Sequence, residues 1–137
     1  MLTWQDLKSV KLFNGLPDSE LKKIVRDLRE VSQPKGKELV VRGSEGVGFM
    51  IILEGQAEVT TPDGRKRTLG PGDYYGEMAL LDKERRSATV VAQDDMRLAG
   101  VVEWDFKTFL TQHPEVTYQL LVTLSRRLRE GEEARTG

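Results

Sequence analysis

Glu77 and Arg86 stand nine positions apart at the two ends of one short segment, Gly76-Glu77-Met78-Ala79-Leu80-Leu81, then Arg86-Ser87-Ala88-Thr89. These residue types suit a compact site for a phosphate joined to a sugar hydroxyl. An arginine offers a planar fork of N–H donors matched to phosphate oxygens. An ionised glutamate can only accept, which suits a ribose hydroxyl. Glycine lets the backbone approach a ligand at φ values that a Cβ penalises. A helical turn after it aims unpaired N–H groups at an anion. Each residue also has a plainer role. Arg86 can pair with Asp82 or Glu84 on the surface, for about 0–1 kcal/mol, and Glu77 can favour a helix start, for about 0.3–1 kcal/mol. Neither role accounts for the spacing or for the small residues Ala79, Ser87 and Ala88.

Other chemistry is scarce. The chain of 137 residues has no cysteine, so disulfides, thiolate zinc and iron–sulfur sites are excluded. Its one histidine, His113, precedes Pro114, where it reads as a cap or turn residue. One histidine does not assemble a histidine-rich, cupin-type metal site, and no constellation is in place to activate water. The reading is not an enzyme, with no metal and no cofactor. A formal net charge of −1 steers the chain neither to nucleic acid nor to anionic lipid. No signal peptide or membrane span is recognisable, so the cytoplasm is the expected location.

The elements that must position the segment follow from periodicity. Leu12, Phe13, Leu16, Leu21, Ile24, Val25 and Leu28 recur at three- and four-residue steps, broken at Asn14-Gly15-Leu16-Pro17. This predicts a short helix, a turn and a longer helix to about Arg29. Glu38–Arg42, Phe49–Leu53, Gln56–Thr60, Ser87–Ala92 and Met96–Val102 read as extended segments. Turns at Pro34-Lys35-Gly36, Pro62-Asp63-Gly64 and Gly70-Pro71-Gly72-Asp73 space them. Gly43–Gly48 reads as a loop. Helical spacing returns at Trp104, Phe106, Phe109 and Leu110, and again after Pro114. There Tyr118, Leu121, Leu124 and Leu128 form a seam that either pairs two chains or folds back on the same one. Trp4 and Trp104 read as packing residues. The fold class is α+β, mainly β: an antiparallel β-roll (a double-stranded jelly-roll) flanked by N-terminal and C-terminal helices. One domain over 1–137 is expected, with helices in 1–31, the roll in 32–102 and further helices in 103–134.

In this order of elements the chain resembles the cyclic nucleotide-binding domain family, over about Leu12 to Leu128. Gly76-Glu77-x-Ala79-Leu80-Leu81 with Arg86-Ser87-Ala88-Thr89 is similar to that family's phosphate-binding cassette, here residues 76–89. The resemblance implies that Glu77 accepts from the ribose 2′-hydroxyl and that Arg86 pairs with the cyclic phosphate. Gly76, Met78, Ala79, Ser87 and Ala88 would line the pocket. Phe49, Leu69 and Val91 are candidates for the base and sugar side. Arg127, in a stretch similar to the dimerising helix of the catabolite activators, would help to orient Glu77 without touching the ligand.

The function so implied is a regulatory sensor module for a cyclic purine mononucleotide. Capture of the ligand would move the C-terminal helices. cAMP is the expected ligand, and Ser87 leaves cGMP open. Lys83 and Arg85 stand where many relatives carry glycine and proline. The alternative is therefore a degenerate member acting as a protein-interaction module without nucleotide response. A homodimer through the C-terminal helix and an unidentified effector protein are the expected partners. No DNA-reading helix-turn-helix is expected in this sequence, and no membrane.

Overall fold

The computed structural model describes residues 1–40, 48–76 and 88–136, with 132–136 described by their backbone alone. The chain opens with two 3-10 segments, Trp4–Ser9 and Lys11–Phe13, rather than one short helix. Val10 separates them in an extended conformation (φ −80°, ψ 121°) and is itself buried. Helix α1 (Asp18–Arg26) follows and buries Leu21 and Ile24.

It ends earlier than its periodicity implies because the next residues join a sheet. Strand β1 (Arg29–Gln33) pairs antiparallel with β8 (Met96–Val102), Arg29 opposite Gly100 and Gln33 opposite Met96. β8 also pairs with β3 (Gly48–Glu54), and β3 with β6 (Tyr74–Tyr75), giving the four-stranded order β1-β8-β3-β6. A second antiparallel sheet runs β2-β7-β4-β5, from β2 (Glu38–Val40), β7 (Thr89–Ala92), β4 (Ala57–Thr60) and β5 (Lys66–Leu69). Together they form the antiparallel β-roll. The expected loop lies outside the described residues up to position 47, and Gly48 is already strand.

Alternation along the strands creates two cores. β3 is apolar from Phe49 to Leu53 because both its faces are covered there. Phe49 and Ile51 face the helices, in a cluster with Leu7, Ile24, Ala99, Val101 and Phe106. Ile52 faces the interior between the sheets, with Val59, Leu69, Tyr75, Val90 and Leu98. The chain then leaves β8 through a 3-10 turn (Glu103–Asp105) into α2 (Phe106–Gln112) and α3 (Pro114–Thr136). Phe106 and Phe109 take the inward positions, which leaves Trp104 81% exposed, against the expectation of a packing residue. Trp4 does pack against the helix-side core, and Lys8 and Lys22 lie over its ring at 4.8 and 5.1 Å.

His113 joins α2 to α3. Its N–H caps α2 on the Phe109 carbonyl at 3.0 Å, and its Nε2 is 2.6 Å from Asp27 Oδ2. The cap reading therefore holds, with a buried side chain added to it.

Candidate functional site

The cassette runs between two anchored ends. Upstream, the Gly70-Pro71-Gly72-Asp73 turn closes with Asp73 N–H donating to the Gly70 carbonyl at 3.0 Å. The Gly70 N–H donates to Asp73 Oδ2 at 2.8 Å. Two further bonds fix this turn to β3: Gly72 N–H to the Ile52 carbonyl, and Ile52 N–H to the Asp73 carbonyl, both 2.8 Å. The turn thereby sets where β6 begins, and Tyr75 leads directly into Gly76.

Gly76 has φ +98°, in the region that favours glycine. That is the conformational freedom its place in the motif calls for. Downstream, Ala88 packs against the inter-sheet core immediately before β7. One end thus belongs to the β1-β8-β3-β6 sheet and the other to the β2-β7-β4-β5 sheet. Glu77, Met78, Ala79, Arg86 and Ser87 lie outside the described residues.

The remaining candidates fall in different places. Leu69 is buried in the inter-sheet core that Ala88 also touches. It borders a cavity of about 540 Å³ between the roll and α3, which Arg127 borders from the helix side. Phe49 is fully buried on the helix side, its ring 5.4 Å from Tyr74 and 5.5 Å from Phe106. Val91 occupies the half-exposed face of β7, opposite the one that carries Val90 and Ala92 inward. Leu69, Ala88 and Arg127 are therefore gathered toward the cassette ends and the helix. Phe49 adjoins Tyr74 on the helix side, and Val91 lies on the other face of β7.

Tyr74 was missed. Its ring is the contact between the roll and Arg127, whose guanidinium carbon is 5.7 Å from the ring centroid. The available signal was an aromatic doublet in an alternating strand directly before Gly76, which places one ring in each core. Among the described residues, no group of three His, Cys, Asp or Glu is arranged to hold a metal. No helix among them is long and apolar enough to cross a membrane.

Comparison with known proteins gives this geometry a family. A model described as "Cyclic nucleotide-binding domain" matches residues 30–113. A cyclic AMP receptor protein of Thermus thermophilus is 33% identical over 131 residues, which is 92% of this chain and 61% of the receptor. A cyclic nucleotide-gated potassium channel of Rhizobium etli is 36% identical over 124 residues, 90% of this chain and 35% of the channel. The crystal structure of the Thermus thermophilus catabolite activator protein superposes with a TM-score of 0.81 at 32% identity, covering 91% of this chain and 61% of that one. The chain thus spans less than two thirds of the length of these relatives. From β1 to the α2–α3 joint the matched residues coincide with the roll and its cassette, and the chain belongs to the cyclic nucleotide-binding domain family.

Proposed function

We propose that this chain is a regulatory sensor domain that binds a cyclic purine mononucleotide, cAMP in the first place, and passes binding on to helix α3. The observation that carries the reading is the cassette sequence, Gly76-Glu77 to Arg86-Ser87-Ala88, hung between the two sheets of a roll of this family with Gly76 at φ +98°. In it Arg86 takes the phosphate, Glu77 the ribose hydroxyl, and Met78, Ala79, Ser87 and Ala88 line the pocket. Leu69 stands on the base and sugar side, and Arg127 helps to orient Glu77. The name of the Thermus relative supports cAMP as the ligand. A ligand shifts the helix only by its different affinity for the two arrangements, and a desolvated arginine–phosphate contact supplies such a difference.

Calorimetric titration of cAMP and cGMP against the native chain and Arg86→Ala tests this. Loss of Arg86 is expected to cost about 2–5 kcal/mol of binding. Equal affinities would remove Arg86 from the phosphate. A melting temperature unmoved by millimolar nucleotide would leave the roll as an interaction module, since a ligand bound only by the native state must stabilise it.

The proposal includes a cytoplasmic, non-enzymatic module that pairs with a second copy through α3. Val116 and Leu120 of that helix are buried in the helix-side core, whereas Tyr118, Leu121 and Leu128 are each more than 60% exposed. Light scattering should give twice the chain mass for the native protein and the single mass for Leu121→Glu/Leu128→Glu.

A further inference from the structure

The cavity between the roll and α3 is more basic than a nucleotide's base side requires. Arg67 reaches it from β5, Lys11 from the second 3-10 segment, and Arg126 and Arg127 from α3. Among the described residues that line it, the one carboxylate is Asp73, which is already engaged: Oδ2 accepts from the Gly70 N–H, and Oδ1 is 3.8 Å from the Lys11 ammonium. Arg67 and Arg126 have no ion pair among the described residues.

Three segments remote in sequence thus bring cations into one concavity. Like charges held together there cost stability, and low-dielectric walls focus their positive potential. An anion relieves both effects. Arginine forks on two sides match phosphoryl oxygens, and about 540 Å³ is room for a metabolite-sized ligand.

We propose that this cavity is a second ligand site, for a small molecule carrying a di- or triphosphate group. Arg67 and Arg126 hold its phosphoryl oxygens from opposite walls, with Lys11 beside them. A ligand bridging β5 and α3 ties the helix to the roll, so its occupancy regulates the element that the cassette is proposed to move. The site adjoins the base side of the cyclic nucleotide reading and shares α3, Leu69 and Arg127 with it, but it does not rest on that reading, because its phosphate holders are Arg67 and Arg126 and Arg86 takes no part.

The test titrates inorganic tripolyphosphate, and ATP in a second arm, at constant ionic strength against the native chain, Arg86→Ala, Arg67→Gln/Arg126→Gln and Lys35→Gln/Lys37→Gln. The last pair removes the same charge outside the cavity. Tripolyphosphate should bind the native chain, Arg86→Ala and Lys35→Gln/Lys37→Gln alike, and should bind Arg67→Gln/Arg126→Gln about tenfold more weakly or worse. Tighter binding of ATP than of tripolyphosphate would assign the ligand as a nucleotide; equal binding would assign the phosphate chain alone. The proposal is overturned by no binding at millimolar tripolyphosphate, by loss in Arg86→Ala, or by equal loss in the two double variants. A cAMP titration repeated with tripolyphosphate present keeps the two readings apart, since either ligand can fail alone.

Discussion

The Arg127 guanidinium lies over the ring of Tyr74, 5.7 Å from its centroid, and so joins helix α3 to the strand that feeds Gly76. Tyr74 meets Phe49 edge-on at 5.4 Å, and Phe49 meets Phe106 at 5.5 Å. One cation and three rings therefore connect α3, β6, β3 and α2. Tyr74→Leu keeps apolar bulk and removes the π face, a loss of about 0.5–1 kcal/mol at an exposed site. The amides of α3 near Arg127 should exchange about 2–5-fold faster, the same free energy expressed as a population. Arg127→Gln should produce the same change. Unaltered exchange in both variants would show that the contact does not hold the helix.

A second tie fastens the N-terminal segment to the β1-β8-β3-β6 sheet. Arg97 of β8 donates through Nη2 to Asp6 Oδ2 at 2.9 Å and to the Met1 carbonyl at 3.0 Å, and through Nε to Glu30. Its hydrogen bond, reinforced by the Thr3 backbone N–H, holds the Asp6 carboxyl down at about 2. Glu30 is likewise lowered by Arg97, whose own pKa is raised by the two acids. Because the folded state depresses these acids, their stabilisation is complete above the ordinary carboxylate range. It fades as the pH falls from there toward 2. Arg97→Met removes the largest cause of the lowering at both acids and leaves only the Thr3 donors at Asp6 and the N-terminal ammonium at Glu30. Thermal melts should thus show the native chain more stable than Arg97→Met at neutral pH. The gap should close in acid, and a gap independent of pH would mean that Arg97 acts by packing alone.

Legibility in the sequence followed the number of faces each element buries. β3 and β4 were readable because one is apolar on both faces and the other alternates cleanly. β1 was not, since Arg29-Glu30-Val31-Ser32-Gln33 carries a single apolar residue on a sheet edge and takes its order from β8. At the site, Gly76 was legible because a positive φ selects for glycine. The Arg127–Tyr74 contact was not, because no local pattern relates a helix residue to a ring so distant in sequence. Val91 and Val90 differ only by strand phase, which a run of β-branched residues does not set.

His113 and Asp27 test whether the α2–α3 joint is pinned to the helical side of the roll. The imidazole is 6% exposed, lies against Phe109 at 4.8 Å with the rings tilted by 52°, and is bonded to Asp27 at the end of α1. His113→Ala removes a buried ring and its hydrogen bond together, which should cost about 2–3 kcal/mol in denaturant melts. Asp27→Ala should cost less than His113→Ala, although it leaves the ring without its partner, because it removes no buried volume. Equal costs would make the hydrogen bond, rather than the packing, the pin.

In the pairing of β3 with β8, Met50 lies opposite Gly100. A Cβ built on Gly100 would stand 2.5 Å from Met50 Sδ and 2.9 Å from its Cε. The obstruction is a flexible side chain, so Gly100→Ala should force Met50 to another rotamer instead of parting the strands. Overpacking of this kind costs about 1–3 kcal/mol. Met50→Ala alone should also destabilise, by leaving a gap against the inter-sheet core that Met50 packs on. In the double variant the new methyl fills part of that gap, and the combined loss should fall short of the sum of the two single losses. Chemical denaturation of the four proteins measures the coupling. Strictly additive losses would place the strain at Gly100 in the backbone of β3, where the Phe49 carbonyl is the next neighbour at 3.6 Å.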